Sequence, residues 1–142
     1  TLDVVLLRIN NREVNMIKVE KNAETLLEGV NNMMAGAKED YIRMSTSNGK
    51  KELSGYSKEQ VDSWDDKTKT KVGQKYIKIV HDTGVFGFVN IHDNGRFKKG
   101  DIFKAAGYNK PALNSARGNV LEGNYYIQWT GPLYMDSQRR LR

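Results

Sequence analysis

Between residues 22 and 41 the apolar side chains Leu26, Leu27, Val30, Met33, Met34, Ala37 and Tyr41 recur at helical spacing and lay a single stripe along one face. The pattern predicts an amphipathic helix capped by Asn22, with the Met-bearing stripe as the core of a first lobe. Gly29 and Gly36 fall within it and permit close packing against a sheet. Ahead of the helix, residues 2–9 and 14–19 are rich in Val, Leu and Ile and flank Asn10-Asn11. Asn tolerates positive φ, so these residues predict a strand, a tight turn and a second strand.

The polar stretch 46–54 predicts a linker or long loop. A second helix is expected from Ser57, where Ser57 and Gln60 have capping-box spacing and Tyr56 and Val61 form a hydrophobic staple. It is expected to run to about residue 72 and to stop at Gly73. Its apolar face, Val61, Trp64 and Val72, is thin, so most of its charge should be solvated. Residues 76–82 and 85–91 then read as a hairpin turning at Thr83-Gly84, with His81 opposite Phe86. In the last third, Asp101 and Asn109 are placed to cap two short helices, 101–106 and 111–117, ended by Gly107 and Gly118. Residues 125–129 and 133–135 look like closing strands around Gly131-Pro132.

The expected fold class is therefore α+β: an N-terminal β-hairpin plus amphipathic helix, then a small sheet with short helices in a basic C-terminal lobe. The expected division is residues 1–50, residues 56–138 and a basic tail at 139–142. At 142 residues, with 38% hydrophobic and 28% charged, the chain can bury a core without staples. It contains no Cys, which excludes disulfides and thiolate chemistry and fits a reducing cytosol, so the cytoplasm is the expected compartment. No apolar run approaches the roughly 20 residues of a spanning helix, and no membrane partner is expected.

Charge changes the picture. The net charge is +6, and all of the excess lies after residue 50, since residues 1–50 balance seven Lys or Arg against seven Asp or Glu. Residues 94–118 carry Arg96, Lys98, Lys99, Lys104, Lys110 and Arg117 against Asp101 alone, a local charge of +5. A basic face of this kind fits a polyanion. Beside it, Phe86 and Phe88 stand two residues apart on the hairpin, so both rings should face one side. If Val85, Val89 and Ile91 face the core, the two rings are exposed and free to stack on bases; if both faces are covered, they are ordinary core. Residues 101–106 and 111–117 also form a helix-turn-helix-like pair, with Lys110, Asn114, Ser115 and Arg117 on the second helix.

The hairpin carries a local likeness. Phe86-Gly87-Phe88-Val89-Asn90 fits the central five positions of the ribonucleoprotein signature, with Gly84, Val85 and Ile91 standing where a basic residue, a Gly and an aromatic belong. It also resembles the single-strand-binding surface of cold-shock domains: Lys78 precedes Phe86 by eight residues, and the acidic turn Asp93-Asn94-Gly95 follows the strand. Ile79 and Val80 stand where that family has aromatics. The resemblance is confined to the hairpin and the turn after it, and it implies single-strand binding by Lys78, Phe86 and Phe88.

Catalysis is not expected. His81 and His92 would lie about 20 Å apart along the hairpin, and neither a nucleophile elbow nor a phosphate-binding loop is present. The expected function is non-enzymatic nucleic-acid binding, DNA or RNA, favouring single strands, with no metal and no cofactor. Its expected contacts are Phe86 and Phe88 for stacking, Lys78, Arg96, Lys98, Lys99, Lys104, Lys110 and Arg117 for phosphates, and Asn114 for a base edge. The alternative is a regulatory or inhibitory accessory factor, of viral type, that binds an acidic protein partner through the same face and an aromatic-rich end comprising Tyr125, Tyr126, Trp129 and Tyr134.

Overall fold

Helix α1 (Leu26–Ser45) carries the apolar stripe, and a computed structural model of the chain, which describes residues 17–133, buries Val30, Met33, Met34, Ala37 and Tyr41 along it. The cap is Thr25 rather than Asn22: its Oγ1 accepts from the Glu28 amide at 3.1 Å, while Glu28 Oε2 accepts from the Glu24 amide. Thr25 and Glu28 have capping-box spacing, but the Glu28 carboxylate takes the amide one residue before the cap, so the Thr25 side-chain bond marks the start. Leu27 lies off the stripe and is exposed.

The remaining elements in chain order are β1 (Ile17–Val19), which precedes α1, then α2 (Gly55–Asp62), α3 (Trp64–Lys67), β2 (Thr68–Val72), β3 (Tyr76–His81), β4 (Gly84–Asn90), β5 (Ile102–Phe103), β6 (Ala105–Gly107), β7 (Lys110–Pro111), β8 (Tyr125–Gln128) and β9 (Gly131–Pro132). Over the described residues the architecture is mixed α+β: one long helix, short helices and three small antiparallel sheets, ordered β1-β8-β9, β2-β3-β4-β5 and β6-β7.

The strand expected at 2–9 lies outside the described residues, as do Asn10-Asn11, Tyr134, Met135 and the tail 139–142. The described end of the 14–19 strand, β1, pairs with β8 from the far end of the chain, with Ile17 opposite Ile127. Gly36 makes this possible, because a Cβ there would sit 2.8 Å from Val19 Cγ2 and 3.1 Å from Ile127 Cγ2. One core thus draws Val30, Met33 and Tyr41 together with Trp64, Ile79, Ile102 and Ile127, from both of the expected lobes.

Two expected elements differ. The helix expected to run to residue 72 ends as α3 at Lys67, and Thr68-Lys-Thr-Lys-Val continues as strand β2. Thr and Val are β-branched and alternate with Lys at period two, and β3 offers them a full antiparallel ladder. The Ser57 capping box does not form: Ser54 is the cap, and Gln60 Oε1 instead accepts from Lys67 Nζ at 2.7 Å. The helix pair at 101–106 and 111–117 is also replaced. Residues 102–103 extend the sheet against β4, and β6 and β7 form a tight hairpin around Tyr108-Asn109. The 112–118 backbone bonds across rather than along itself, as in Ala112 N–H to the Lys104 carbonyl and Arg117 N–H to the Ile102 carbonyl, both 2.7 Å.

Asp40 ties α1 to the β8–β9 turn. Its Oδ2 accepts from the Trp129 amide at 2.9 Å, and the side chain is buried. Burial pushes the carboxyl above its ordinary 3.8, with the Trp129 hydrogen bond and the charge of Arg43 pulling the other way. A carboxyl with a raised folded value binds more protons folded than unfolded. Its contribution to stability is therefore present below 3.8 and is lost as pH rises through the folded value. Asp40→Asn keeps an acceptor for the Trp129 amide and removes the charge. Urea unfolding from about pH 4 to about pH 7 should show the variant at least as stable as the parent at the upper end, without the parent's loss from this group. A variant clearly less stable at neutral pH would show that the ionised carboxylate is needed.

Candidate nucleic-acid interface

The sheet β2-β3-β4-β5 has an inner face toward α1 and an outer face that is only partly covered. On the outer face, Lys71 stands directly opposite Lys78, and Lys69 shares that face by the two-residue period of β2. Like charges set opposite each other on a sheet are destabilising. Among the described residues none of these three lysines forms an ion pair. β2 is also an edge strand, where lysines discourage pairing with another chain; the cross-strand Lys71–Lys78 pair goes beyond that need, since β3 is interior.

The β6–β7 hairpin leans onto this face. Lys78 Nζ donates to Asn109 Oδ1 at 2.9 Å and lies 3.4 Å from the centroid of the Tyr108 ring. Tyr108 itself is 60% exposed. The ammonium sits over the middle of one Tyr108 face, so a ring stands beside a cation at the surface, the pairing that single-strand binders use. Lys110 follows the same turn and is exposed.

Phe86 and Phe88 point to opposite faces, against the expectation of one side. The pairing passes from Ile79–Gly87 to Val80–Val85 and leaves Phe86 unpaired as a bulge. This also moves His81 from its expected place opposite Phe86 to one opposite Gly84. Phe86 joins the main core with Ile79 and Ile127, whereas Phe88 joins a second cluster with Phe97, Phe103 and Ala116. In that cluster Phe97 meets Phe103 edge-to-face at 4.7 Å, and Tyr76 meets Phe88 and Phe103 at 6.3 and 6.1 Å. Both phenylalanines are buried. Rings so placed offer no face to a base.

The other expected contacts divide by exposure. Arg96, Lys98 and Lys99 are exposed on the 91–100 loop, which side-chain acceptors pin: Asn94 Oδ1 takes the Phe97 amide at 2.8 Å, Asp93 Oδ1 the Lys99 amide at 2.6 Å, and Asp101 Oδ2 the Lys98 amide at 2.9 Å. Arg96 lies over the Phe97 ring at 4.9 Å, and Lys98 Nζ is 3.4 Å from Glu122. Three carboxylates thus temper the local field there. Lys104 is half-buried and donates to the Pro132 carbonyl at 2.8 Å; burial, with the charge of Arg117, holds its ammonium below the ordinary range. Arg117 is 2% exposed and donates to Asn114 Oδ1 at 3.2 Å, the oxygen that also accepts from the Ser115 amide. Arg117 therefore belongs to the interior rather than to a phosphate-facing helix.

Sequence reasoning did not bring Lys69, Lys71 and Tyr108 to this face. The signal for the lysines was the period-two alternation of 68–72, masked by its position after a strong helical start.

A separate cavity of about 420 Å³ opens at the β3–β4 turn. Its rings are Tyr41, Tyr56, Trp64, His81, Phe86 and Trp129. Trp64 lies 4.1 Å from His81 at 37°, and Tyr41 meets Trp129 edge-on at 5.2 Å and 80°. Thr68 Oγ1 lies 2.9 Å from His81 Nδ1, and burial holds the imidazole below its ordinary range. Among the described residues no helix is long and apolar enough to cross a membrane. No family model matches the chain, and comparison with curated proteins and with solved structures finds no match.

Proposed function

We propose that this chain is a non-enzymatic nucleic-acid-binding protein that favours single strands and holds them on the outer face of the four-stranded sheet. The observation that carries this is the Lys71–Lys78 pair: two like charges opposed across a ladder, beside Lys69 and with no ion pair among the described residues to offset them, next to an exposed tyrosine. Such an arrangement costs stability in the free protein and gains it back when phosphates arrive between the ammonium groups. Lys69, Lys71, Lys78 and Lys110 neutralise the backbone, Tyr108 stacks on a base, and Arg96 and Lys99 extend the positive surface. A sheet face with a projecting ring suits unstacked bases, since each base presents a π-face. The alternating lysine face lacks the protruding helix that would enter a duplex groove.

The test is fluorescence anisotropy with labelled single-stranded DNA, single-stranded RNA and duplex DNA at about 50 and about 200 mM salt. Tighter binding of the single strands, falling steeply between the two salt concentrations, is the expected result. Absence of binding to all three at the lower salt would overturn the function and leave an acidic protein as the partner to seek.

A further inference from the structure

We infer that the free edge of β2 takes an added strand: an extended segment of a partner protein in which apolar and acidic residues alternate. The site goes beyond the nucleic-acid function, since it uses the β2 backbone and a groove on the side of the sheet away from the lysines. The phase of the β2–β3 ladder identifies the open backbone groups. Gly73 N–H donates to the Tyr76 carbonyl at one end, and Asp82 N–H to the Lys67 carbonyl at the other, both at 2.9 Å. Residues that exchange bonds alternate along an antiparallel ladder, so Lys69 and Lys71 turn their amides and carbonyls to β3. Thr68, Thr70 and Val72 turn theirs outward. The Asp65 carbonyl takes the Thr68 amide. Among the described residues, the Thr68 carbonyl and the amides and carbonyls of Thr70 and Val72 have no backbone partner.

The two sides of that edge differ, and the difference selects the segment. Thr68 and Thr70 line a groove against α1 whose apolar wall is Val30, Met34, Ala35 and Ile42. Its volume of about 560 Å³ falls within the range of roughly 300–1,000 Å³ typical of ligand sites. The charged groups of the lining are already paired, Asp65 with Lys38 at 3.9 Å and Glu39 with Arg43 at 2.9 Å. Val72 continues the same side of the strand and is 63% exposed. Side chains of an added strand alternate as those of β2 do, so residues beside Thr68, Thr70 and Val72 face the groove side and favour apolar groups. Residues beside Lys69 and Lys71 meet ammonium groups and favour carboxylates.

Lysines on an edge discourage neutral and basic strands. They also discourage a second copy of this chain, whose β2 laid antiparallel would bring its own lysines onto the same face. An acidic strand is admitted by the same charges, so the edge discriminates between partners. Five residues match the length of β2, in the order apolar, acidic, apolar, acidic, apolar. Main-chain bonds supply the affinity of such strand addition, and the alternate side chains supply its specificity. Lys69 and Lys71 serve both ligands, so the segment competes with a bound nucleic-acid strand.

The probe is a fluorescent peptide, Gly-Val-Glu-Val-Glu-Val-Gly, blocked at both ends and titrated with the full chain in the absence of nucleic acid. Saturable binding is expected, and a peptide with Lys in place of Glu should not bind. N-methylation of the valines, whose amides face β2 in the antiparallel register, should weaken binding by about tenfold, and N-methylation of the glutamates should not. In Thr70→Pro the lost amide points outward and breaks no bond to β3. Its urea midpoint should stay near the parent's while peptide binding falls by about tenfold. Thr70→Pro keeps every lysine, so its single-strand affinity should match the parent's. Equal binding by the two methylated peptides, binding by the Lys peptide, or no binding at all would overturn strand addition. So would a dimer, seen in sedimentation of the protein alone, that Thr70→Pro dissolves. Single-strand binding without peptide binding would remove the edge site alone, and peptide binding without single-strand binding would remove the sheet-face function alone.

Discussion

Replacing Lys69, Lys71 and Lys78 together by alanine should remove most single-strand affinity at about 50 mM salt and flatten the plot of log affinity against log salt by about 2. The figure follows from three phosphate contacts at about 0.7 each on single strands. For Lys71→Ala alone, stability should move the other way; Lys78→Ala also removes the bond to Asn109 and the contact with Tyr108, which offsets any relief. Lys71 and Lys78 face each other across the ladder, and relief of that repulsion contributes about 0.2–1 kcal/mol. Weaker binding by Lys71→Ala with equal or greater resistance to urea would mark that lysine as kept for a ligand. An unchanged salt slope would mean that the strand lies elsewhere, and the 91–100 loop with Arg96 and Lys99 would be the next surface to test.

The second large effect separates the interior rings from the surface ring. Phe88→Ala should cost about 3–5 kcal/mol of stability, because the side chain is buried among Tyr76, Phe97 and Phe103 and its removal leaves a cavity. Against a total of about 5–15 kcal/mol for an ordinary domain, that loss lowers the urea midpoint substantially. Tyr108→Ala should leave the midpoint nearly unchanged, since the ring is mostly exposed, and weaken single-strand binding by about 1–3 kcal/mol. Measured side by side, the two variants decide which aromatic touches bases. If Tyr108→Ala binds like the parent while folded, the stacking role assigned to it fails.

The contrast between these rings also shows where local pattern stops being informative. Phe86 and Phe88 sit two residues apart in a strand, and period two puts both on one face. A single bulge, visible only once β3 is laid beside β4, turns Phe86 into the main core and leaves Phe88 in the second cluster. Likewise, residues 68–72 follow a helical start closely enough to read as its last turns. Whether Thr-Lys-Thr-Lys-Val is helix or strand depends on a partner ladder, and that partner lies after the 73–75 turn. Arg117 counted as surface charge in the sequence, yet it lies buried beside the half-buried Lys104. No local period distinguishes a basic residue folded inward from one facing solvent.

By itself, the chain's sequence determined what depends on near neighbours: the buried stripe of α1, set by the 3.6-residue period, the β3–β4 hairpin with its turn near Thr83, and a positive charge concentrated after residue 50. Each of these rests on contacts or composition within a few residues. The tertiary structure alone decided that β1 pairs with β8, that 101–111 is strand rather than helix, and that Lys71 meets Lys78 beside Tyr108. Those features arise from pairing between segments far apart in the chain, where the hydrogen bonds and packing of the partner outweigh intrinsic preferences of about 1 kcal/mol or less per residue.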